Sequence, residues 1–213
     1  MEIRKEKILV IATKNRGKMR EFSRALAGLG FEFLSLHDFP DLGPIVEDGS
    51  TFLENACKKA TAAARYSKLP ALADDSGLEV DYLGGAPGVL SARFAGRDGD
   101  DEANNSKLLH LLSGVPYRER RARFRCALAV AIPEDLLVTA EGFLEGYIGL
   151  EPRGKGGFGY DPLFVVPEYN CTLAETELET KNRISHRGRA LEQLRGRLQE
   201  LSVALGWDRC ESV

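Results

Sequence analysis

The segment that decides the fold is residues 122–132, which reads ARFRCALAVAI. Its apolar side chains alternate with other residues, as they do along a strand that has one face in the core. Arg123 and Arg125 begin the opposite face and alanines continue it, so we expect the strand to run from solvent into the core. A turn at Pro133-Glu134-Asp135 then predicts a hairpin with a second strand over residues 136–148.

Shorter patterns on both sides of this hairpin indicate further strands and helices. Buried strands are predicted at residues 8–12, 71–73 and 164–166, which are short and apolar. Amphipathic helices are predicted over residues 19–29, where Gly30 ends the helix, and over residues 101–112. A further helix should begin at Thr51, where Glu54 completes a capping box. A last helix is predicted after Ser185, with leucines at 191, 194, 198 and 201 on one face. Because strands and helices do not alternate strictly, we expect an α/β fold with a central mixed β-sheet, formed as a single domain over residues 1–213.

The bulk composition narrows the classes of function. The 213 residues are 43% hydrophobic, carry a net charge of −3 and have a pI near 5.8. This balance argues against a nucleic-acid partner, because sequence-independent binding of DNA or RNA needs a basic field. The apolar run at residues 8–12 is too short for a signal peptide or a membrane span, and the four cysteines form no CxxC pair. We therefore expect a cytoplasmic protein with reduced thiols and no membrane partner.

Two adjacent carboxylates, Asp74 and Asp75, follow the predicted strand at residues 71–73, and we expect them to lie in an acidic turn closed by Ser76 and Gly77. Mg²⁺ prefers oxygen ligands, commonly one or two carboxylates together with substrate phosphates. A carboxylate beside such an ion can also act as a general base on water. An Asx-type turn that only ends the strand is the alternative, and the four residues by themselves leave both possibilities open.

Two basic segments offer places for an anion. Residues 13–18, TKNRGK, join the first strand to the first helix, and residues 181–188, KNRISHRG, precede the last helix. Helix N-termini attract anions through their N–H groups, although an ordinary solvated loop is the alternative for the first segment. Ser185 is predicted to cap the last helix, and His186 is predicted to donate a hydrogen bond to a ligand rather than to act as a base. The basic run at residues 118–125 alternates with apolar residues, which favours a solvated strand face.

Residues 153–162, RGKGGFGYDP, form a glycine-rich segment with two aromatic side chains. Closely spaced glycines indicate positive φ angles or a close approach of the backbone to another group. Phe158 and Tyr160 could each stack on a nucleobase, and Asp161 could accept hydrogen bonds. Residues 149–155 match the start of a Walker A motif, but Gly156 stands where that motif has Ser or Thr, so a P-loop kinase or ATPase is rejected.

The order of these segments resembles the inosine-triphosphate pyrophosphatase family, also called Ham1-like. The first strand followed by TKNRGKMREF is similar to the family's opening ATxNxxKxxE signature. Further matches are VEDGSTFLENACKKA, ALADDSGLEVDYLGGAPGVLSARFAG, GKGGFGYDPLF and KNRISHRGRAL, and together they span residues 8–195. The sequence departs from the common family pattern at Lys14, Lys155 and Arg189, and none of these departures removes a proposed catalytic group.

The resemblance implies hydrolysis of ITP, dITP and XTP to the monophosphate and pyrophosphate, with Mg²⁺ as the cofactor. It implies that Asp75 is the proton acceptor and that the metal site is formed by Glu47, Asp74 and Asp75. Contacts with the nucleotide are implied for Thr13, Lys14, Asn15, Arg16, Gly17, Lys18, Ser76, Phe158, Gly159, Tyr160, Asp161, Lys181, His186 and Arg187. It also implies an elongated, two-lobed Maf/Ham1-like fold with the active cleft between the lobes, and a homodimer.

Two other functions stay open. A Maf-type pyrophosphatase has a related fold and acts on pyrimidine or modified nucleotides, although the SHRG and GGFGYDP segments favour the Ham1 side. A nucleotide-binding regulator without turnover is the second alternative, which the intact Asp74-Asp75 pair disfavours. A Ham1-like enzyme should distinguish substrates by the 6-oxo group of the base, because a donor aimed at that group would be left unpaired by adenine.

Overall fold

A computed structural model describes residues 7–134 and 137–204, except for the side chains of Arg16, Leu137 and residues 201–204. The strands in this part are β1 (Ile8–Ile11), β2 (Glu32–Ser35), β3 (Ala71–Val80), β4 (Arg121–Ala131), β5 (Leu137–Ile148), β6 (Phe164–Val166) and β7 (Cys171–Thr172). They form one seven-stranded mixed sheet in the order β2-β1-β3-β4-β5-β6-β7. β1 pairs in parallel with β2 and β3, and each later pair of neighbours is antiparallel.

Helices cover both faces of this sheet. In the described part they are α1 (Arg16–Ala25), α2 (Phe52–Ser67), α3 (Asp101–Leu111), α4 (Leu178–Ile184) and α5 (His186–Ala204). α2 begins where predicted, because the Thr51 side chain accepts a hydrogen bond from the Glu54 N–H. α5 begins after Ser185, whose hydroxyl oxygen accepts from the Gly188 N–H at 3.1 Å. Both predicted N-caps are therefore confirmed, and each provides an acceptor for an N–H that would otherwise lack one. The Glu54 carboxylate, which was predicted to complete a capping box with Thr51, instead accepts from the N–H and the hydroxyl of Ser50 at 2.7 and 3.0 Å.

The long strands β3, β4 and β5 run through two halves of the molecule. In one half, α2 packs on one face of the sheet over small side chains such as Ala73 and Ala129, while α1 and α5 pack on the other face over Leu72 and Leu128. In the other half, the far ends of the same strands form a separate core with α3 and the segment that follows β5. The central residues of β3 lie where the halves meet, which agrees with the two-lobed expectation.

Most predicted elements are confirmed, and the differences have local causes. β4, β6 and α3 lie within one residue of their predicted bounds. α1 instead ends at Ala25, because the chain reaches the left-handed region at Gly28 (φ 85°), before Gly30. β2, β7 and α4 were not predicted, since they are too short to show a clear period. The predicted turn and strand residues Asp135 and Leu136, and the side chain of Leu201, lie outside the described part.

The class predicted from the sequence, α/β with a mixed sheet flanked by helices, is confirmed. Across the two described ranges, none of the helices has both the length and the apolar character needed to cross a bilayer.

Candidate active site

Residues 74–77, DDSG, lie in the middle of β3, so the predicted acidic turn is wrong. β3 continues to Val80, and its residues pair with β4 in an unbroken register that places Asp74 opposite Leu128. Asp and Gly are poor strand formers, but continuous pairing with β4 overrides that local preference. Gly77 serves close packing instead of a turn, because a Cβ there would come within 2.6 Å of the Gly88 carbonyl oxygen.

Asp74 and Asp75 point to opposite faces of the sheet, because successive side chains of a strand alternate. The Asp74 carboxylate is buried on the side of α1 and α5. Its Oδ2 accepts from Ser76 Oγ at 2.9 Å, and it pairs with Lys18 Nζ at 2.9 Å and Arg187 Nη2 at 3.3 Å. Burial by itself would raise the pKa of Asp74, but Lys18 and Arg187 hold that pKa well below its usual value. Asp74 is therefore a firmly ionised carboxylate.

Asp75 faces α2, which supplies two polar side chains one helical turn apart. Asn55 Nδ2 donates to Asp75 Oδ2 at 3.0 Å, while Asn55 Oδ1 accepts from the Gly49 N–H at 2.7 Å. Lys59 Nζ lies 3.6 Å from Asp75 Oδ1 and 2.8 Å from Glu47 Oε2. Burial raises the pKa of Asp75, although Lys59 and Asn55 act in the opposite direction. The Asp75 carboxylate is thus oriented and more basic than an exposed aspartate.

The three predicted metal ligands are not brought into one cluster. Within residues 7–134 and 137–204, no group of three or more His, Cys, Asp or Glu side chains is arranged to hold a metal ion. Glu47 and Asp75 both face the Lys59 ammonium, whereas Asp74 lies on the other face of the sheet. Strand geometry sends the two adjacent aspartates to opposite faces, and a metal ion shared by both stays a prediction. The Glu47 side chain is 39% exposed, which leaves it open to a ligand.

The segment between β1 and α1 is a helix cap that directs one lysine to the carboxylates. Asn15 Oδ1 accepts from the N–H groups of Gly17 at 2.8 Å and Lys18 at 3.1 Å. Thr13 Oγ1 accepts from the Asn15 N–H at 3.1 Å. These bonds place Lys18 on the first turn of α1, from which it reaches Asp74.

The other predicted phosphate contacts have different positions. Lys14 is exposed at the surface, and the side chain of Arg16 lies outside the described part. Ser76 is close to the ionic groups: its hydroxyl donates to Asp74, and Arg187 Nη2 lies 3.5 Å from its Oγ. Ser76 and Lys18 are therefore brought together, whereas Lys14 is not.

The two aromatic residues of the glycine-rich segment have different environments. The ring of Phe158 is partly exposed, lies 4.6 Å from Lys181 Nζ, and packs so closely on Gly17 that a Cβ there would be 3.0 Å away. Tyr160 is buried, and its hydroxyl donates to the Ser91 carbonyl oxygen at 2.8 Å. Tyr160 therefore packs in the core, and the prediction that a base could stack on it is corrected.

Asp161 and Gly159 shape the backbone around Phe158. Asp161 Oδ2 accepts from the Phe158 N–H at 2.8 Å and pairs with Lys181 Nζ at 2.7 Å. Burial raises the pKa of Asp161, and Lys181 opposes that effect. Gly159 has a φ of 62°, in the left-handed region that glycine adopts without strain. This conformation lets the Phe158 ring turn back over Lys181.

A buried ionic network links this segment to the centre of β3. It contains three cations and three carboxylates, namely Lys18, Lys181, Arg187, Glu21, Asp74 and Asp161. Glu21 joins Lys181 and Asp161 to Arg187 and Asp74, because the Glu21 oxygens contact Lys181 Nζ at 3.0 Å and Arg187 Nη1. Burial would raise the pKa of Glu21, but Arg187 and Lys181 outweigh it and lower the pKa. The formal charges of the network cancel, which limits the cost of burying them.

Three residues of this site were not predicted to have a role: Glu21, Asn55 and Lys59. Lys18 and Glu21 are three residues apart on α1, and Asn55 and Lys59 are four apart on α2, so each pair shares a helix face. That spacing is a signal in the sequence, and both pairs lie inside the quoted motifs. The carboxylates and cations that they meet are distant in sequence, so the spacing alone could not assign them.

His186 is the first residue of α5, and its ring is buried. The imidazole stacks on Phe124 with ring centroids 4.7 Å apart and planes inclined by 14°. Its Nδ1 has no hydrogen-bond partner among the described residues. Burial, Arg187 and Lys181 lower the pKa of His186 well below its usual value, so the ring is neutral at pH 7. A neutral imidazole keeps one N–H donor, and donation to a ligand stays a prediction.

Comparison with known protein families covers all of these segments. A model of the Ham1 family matches residues 9–197. The chain belongs to the Ham1 family. The matched range extends from β1 through the glycine-rich segment into α5, and it confirms the resemblance found in the motifs.

Curated relatives of this Ham1 family chain match it over nearly its full length. The dITP/XTP pyrophosphatase of Desulforamulus reducens is 55% identical over 195 residues, which cover 92% of this chain and 97% of the relative. The dITP/XTP pyrophosphatase of Geobacter sulfurreducens is 55% identical over 203 residues, covering 95% of this chain and 98% of the relative.

Solved structures agree with this assignment. The HAM1 protein from Coxiella burnetii superposes with a TM-score of 0.83 at 44% identity, covering 91% of this chain and 98% of the other. A nucleoside-triphosphatase / dITP/XTP pyrophosphatase from Mycobacterium abscessus superposes with a TM-score of 0.73 at 45% identity, covering 88% and 98%. The fold of the Ham1 family protein is therefore that of its solved relatives.

Proposed function

We propose that this Ham1 family protein hydrolyses deaminated purine nucleoside triphosphates, namely ITP, dITP and XTP, to the monophosphate and pyrophosphate. The observation that carries the proposal is the continuous chain of contacts from Phe158 through Lys181, Glu21 and Arg187 to the Asp74 carboxylate of β3. One end of this chain offers a ring and hydrogen-bond donors to a base, and the other offers charges to a triphosphate. Relatives that are 55% identical carry the name of this activity, which supports it.

In the proposed reaction, a water molecule attacks the α-phosphorus and Asp75 takes its proton. A P–O bond forms to the water oxygen, and the bond between the α-phosphorus and the bridging oxygen to the β-phosphorus breaks, which releases pyrophosphate. Asp75 suits the role of general base because burial raises its pKa and Asn55 fixes its orientation. Lys18 and Lys59 supply positive charge beside the phosphates.

Mg²⁺ is proposed to bind at Glu47 and Asp75. The fit rests on the chemistry of the donors: two carboxylates converge on the ammonium of Lys59, so a cation is favoured between them, and oxygen ligands are those that Mg²⁺ prefers. Bound there, Mg²⁺ would neutralise charge on the phosphate oxygens. Asp74 is assigned a different task in this proposal, which is to hold Lys18 and Arg187 in place.

The base is proposed to stack on Phe158, with its 6-oxo edge toward Lys181. A protonated lysine has three N–H donors, and Lys181 directs two of them to Glu21 and Asp161. The third can donate to a 6-oxo group. The 6-amino group of adenine would instead direct its own N–H toward the N–H of Lys181. Because this leaves a buried donor unpaired, ATP is disfavoured.

The principal test is incubation of the purified protein with ITP, dITP, XTP, ATP, GTP, dTTP and UTP, with pyrophosphate and orthophosphate separated as products. We expect rapid, Mg²⁺-dependent release of pyrophosphate from the first three, abolished by a chelator and restored by added Mg²⁺. Orthophosphate as the first product would contradict attack at the α-phosphorus. A preference for dTTP or UTP would favour a Maf-type activity, and binding without product would favour a regulator.

A single domain, a cytoplasmic location and a homodimer also belong to this proposal. Light scattering after gel filtration would measure the mass of the particle, and one cooperative unfolding transition would support a single domain.

A further inference from the structure

The backbone next to Phe158 is held by α3, which lies far from it in sequence. The Gly159 N–H donates to Asp101 Oδ2 at 2.6 Å, 58 residues earlier in the chain. The Gly159 carbonyl oxygen accepts from Asn105 Nδ2 at 2.9 Å, 54 residues earlier. Both polar groups of one glycine are therefore bound by side chains of one helix.

The two side chains can act together because of their spacing. Asp101 and Asn105 are four residues apart on α3, so they project from the same face of the helix. The intervening Asn104 points elsewhere and anchors the helix: its Oδ1 accepts from the Ala95 N–H at 2.7 Å, and its Nδ2 donates to the Ala92 carbonyl oxygen at 3.1 Å. The pair thus projects from a helix that is itself fixed to the preceding chain.

The pair determines where the neighbouring ring lies. Gly159 directly follows Phe158 and has a φ of 62°, so a small rotation at this residue would swing the ring away from Lys181. The Phe158 N–H already donates to Asp161, which fixes the backbone on the N-terminal side of Phe158. Asn105 Oδ1 is buried with no hydrogen-bond partner among the described residues. The contribution of this side-chain amide therefore comes from the hydrogen bond that its Nδ2 donates to the Gly159 carbonyl oxygen.

We propose that Asp101 and Asn105 are positioning residues that set the affinity and the 6-oxo selectivity for the base by holding Gly159, and through it Phe158. The proposal rests on the proposed role of Phe158 and Lys181 in base binding. The residues around Asp75 lie on α2, on β3 and in the segment before α2, which these substitutions do not touch. Removal of the pair should therefore weaken binding and selectivity while the chemical step continues.

The test compares steady-state kinetics of ITP and ATP hydrolysis in the full-length wild type and in Asp101→Ala and Asn105→Ala. We expect each variant to raise KM for ITP by about tenfold, with kcat within about twofold, and to lower the ITP-to-ATP ratio of kcat/KM. Asp101→Asn keeps an oxygen that can accept from the Gly159 N–H, so it should restore KM. Glu102→Ala removes the same charge from the same exposed turn and should leave KM and selectivity unchanged.

Two results would overturn the proposal. One is an unchanged KM and ITP-to-ATP ratio in both alanine variants. The other is an equal loss for ITP and ATP that Asp101→Asn does not restore, which would indicate only a structural role. If Asn105→Ala does not fold, Asn105→Asp preserves the size of the side chain and places an acceptor against the Gly159 carbonyl oxygen, with the same expected rise in KM.

Failure of the proposed function would be seen separately. In that case the wild type itself would release no pyrophosphate from ITP. Calorimetric titration with IMP would then still measure the contribution of the pair, because it reports base affinity without turnover. Equal IMP affinity in wild type, Asp101→Ala and Asn105→Ala would contradict the positioning role in either case.

Discussion

The two carboxylates at the centre of β3 are adjacent in sequence but have opposite surroundings. Asp74 lies among Lys18, Arg187 and Ser76, and these cations lower its pKa despite burial. Asp75 faces Asn55 and Lys59 on α2, and burial raises its pKa. The same residue type thus becomes a fixed anion on one face of the strand and a stronger base on the other. Which face a side chain occupies, rather than its chemical type, decides its function here.

The difference between the two faces also predicts where removal of a charge lowers the free energy of unfolding. On the Asp74 face, loss of one carboxylate removes the partner of Lys18 and leaves Arg187 paired with Glu21 alone, so the network gains an uncompensated positive charge, which is expensive when buried. On the Asp75 face, the pKa is raised, which means that the folded state favours the protonated, uncharged form more than the unfolded state does. Neutralising Asp75 should therefore cost little stability at pH 7.

The largest effect is expected for Asp75→Asn. Loss of the proposed general base should lower kcat for ITP by about 10²–10⁴-fold, while the thermal midpoint stays close to that of the wild type. Pyrophosphate release and thermal unfolding of the same preparation measure both quantities. Near-normal kcat in this variant would show that another group accepts the proton.

The matched change on the other face, Asp74→Asn, should act mainly on stability. We expect the free energy of unfolding at pH 7 to fall by about 3 kcal/mol, because Lys18 loses its partner and Arg187 loses one of its two partners while both keep their charges. Urea unfolding of Asp74→Asn, Asp75→Asn and the wild type measures the difference. Equal destabilisation by the two substitutions would contradict the contrast between the faces.

The pH dependence of that stability loss has a defined sign. The pKa of Asp74 is depressed in the folded protein, so its stabilisation is present above the unfolded pKa, about 3.9, and is lost as the pH falls toward the folded value. The gap between wild type and Asp74→Asn should therefore narrow when unfolding is measured below about pH 4. A gap that stays constant down to pH 2.5 would indicate that Asp74 stabilises the fold by packing rather than by charge.

The smallest effect is expected on the position of the pH profile when single cations are removed. Lys59→Met should raise the pKa of Asp75 further, because the largest attractive charge on it is lost, and the acid limb of kcat/KM should move to higher pH. Lys18→Met is the matched control, since Lys18 pairs with Asp74 and acts on Asp75 less strongly. Profiles of kcat/KM against pH for ITP measure both. A shift by Lys18→Met as large as that by Lys59→Met would show that the two faces are electrostatically equivalent.

Most of the strands and helices could be predicted from patterns that are local in sequence. The alternation in residues 122–132 predicted β4 and its hairpin with β5, and the side chains of Thr51 and Ser185 predicted the starts of two helices. Each of these depends on residues within a few positions of one another, where strand or helix geometry applies directly. The prediction failed at residues 74–77, because local preference favours a turn there and a distant strand imposes the extended conformation.

Many individual residues of the site could be predicted from the sequence, but the contacts between them could not. Lys18, Lys181 and Arg187 were found by their motifs, and Phe158 was found by its glycine-rich context; stacking of a base on Phe158 stays a prediction. Glu21, which joins Lys181 to Arg187, was missed because its partners lie 160 and 166 residues away. Tyr160 was assigned to the base because its aromatic ring offers a flat surface for stacking, but its ring is buried and its hydroxyl is bound inside the core.

The sequence by itself determined the family, because an ordered set of motifs spanning most of the chain is far more specific than any one motif. It also determined the identity of the groups available for chemistry. Only the tertiary structure decided that Asp74 and Asp75 lie on different faces, and that Asn55 and Lys59 accompany Asp75. The physical reason is the pairing of β3 with β4: it extends a segment that would otherwise turn, and an extended strand sends adjacent side chains in opposite directions.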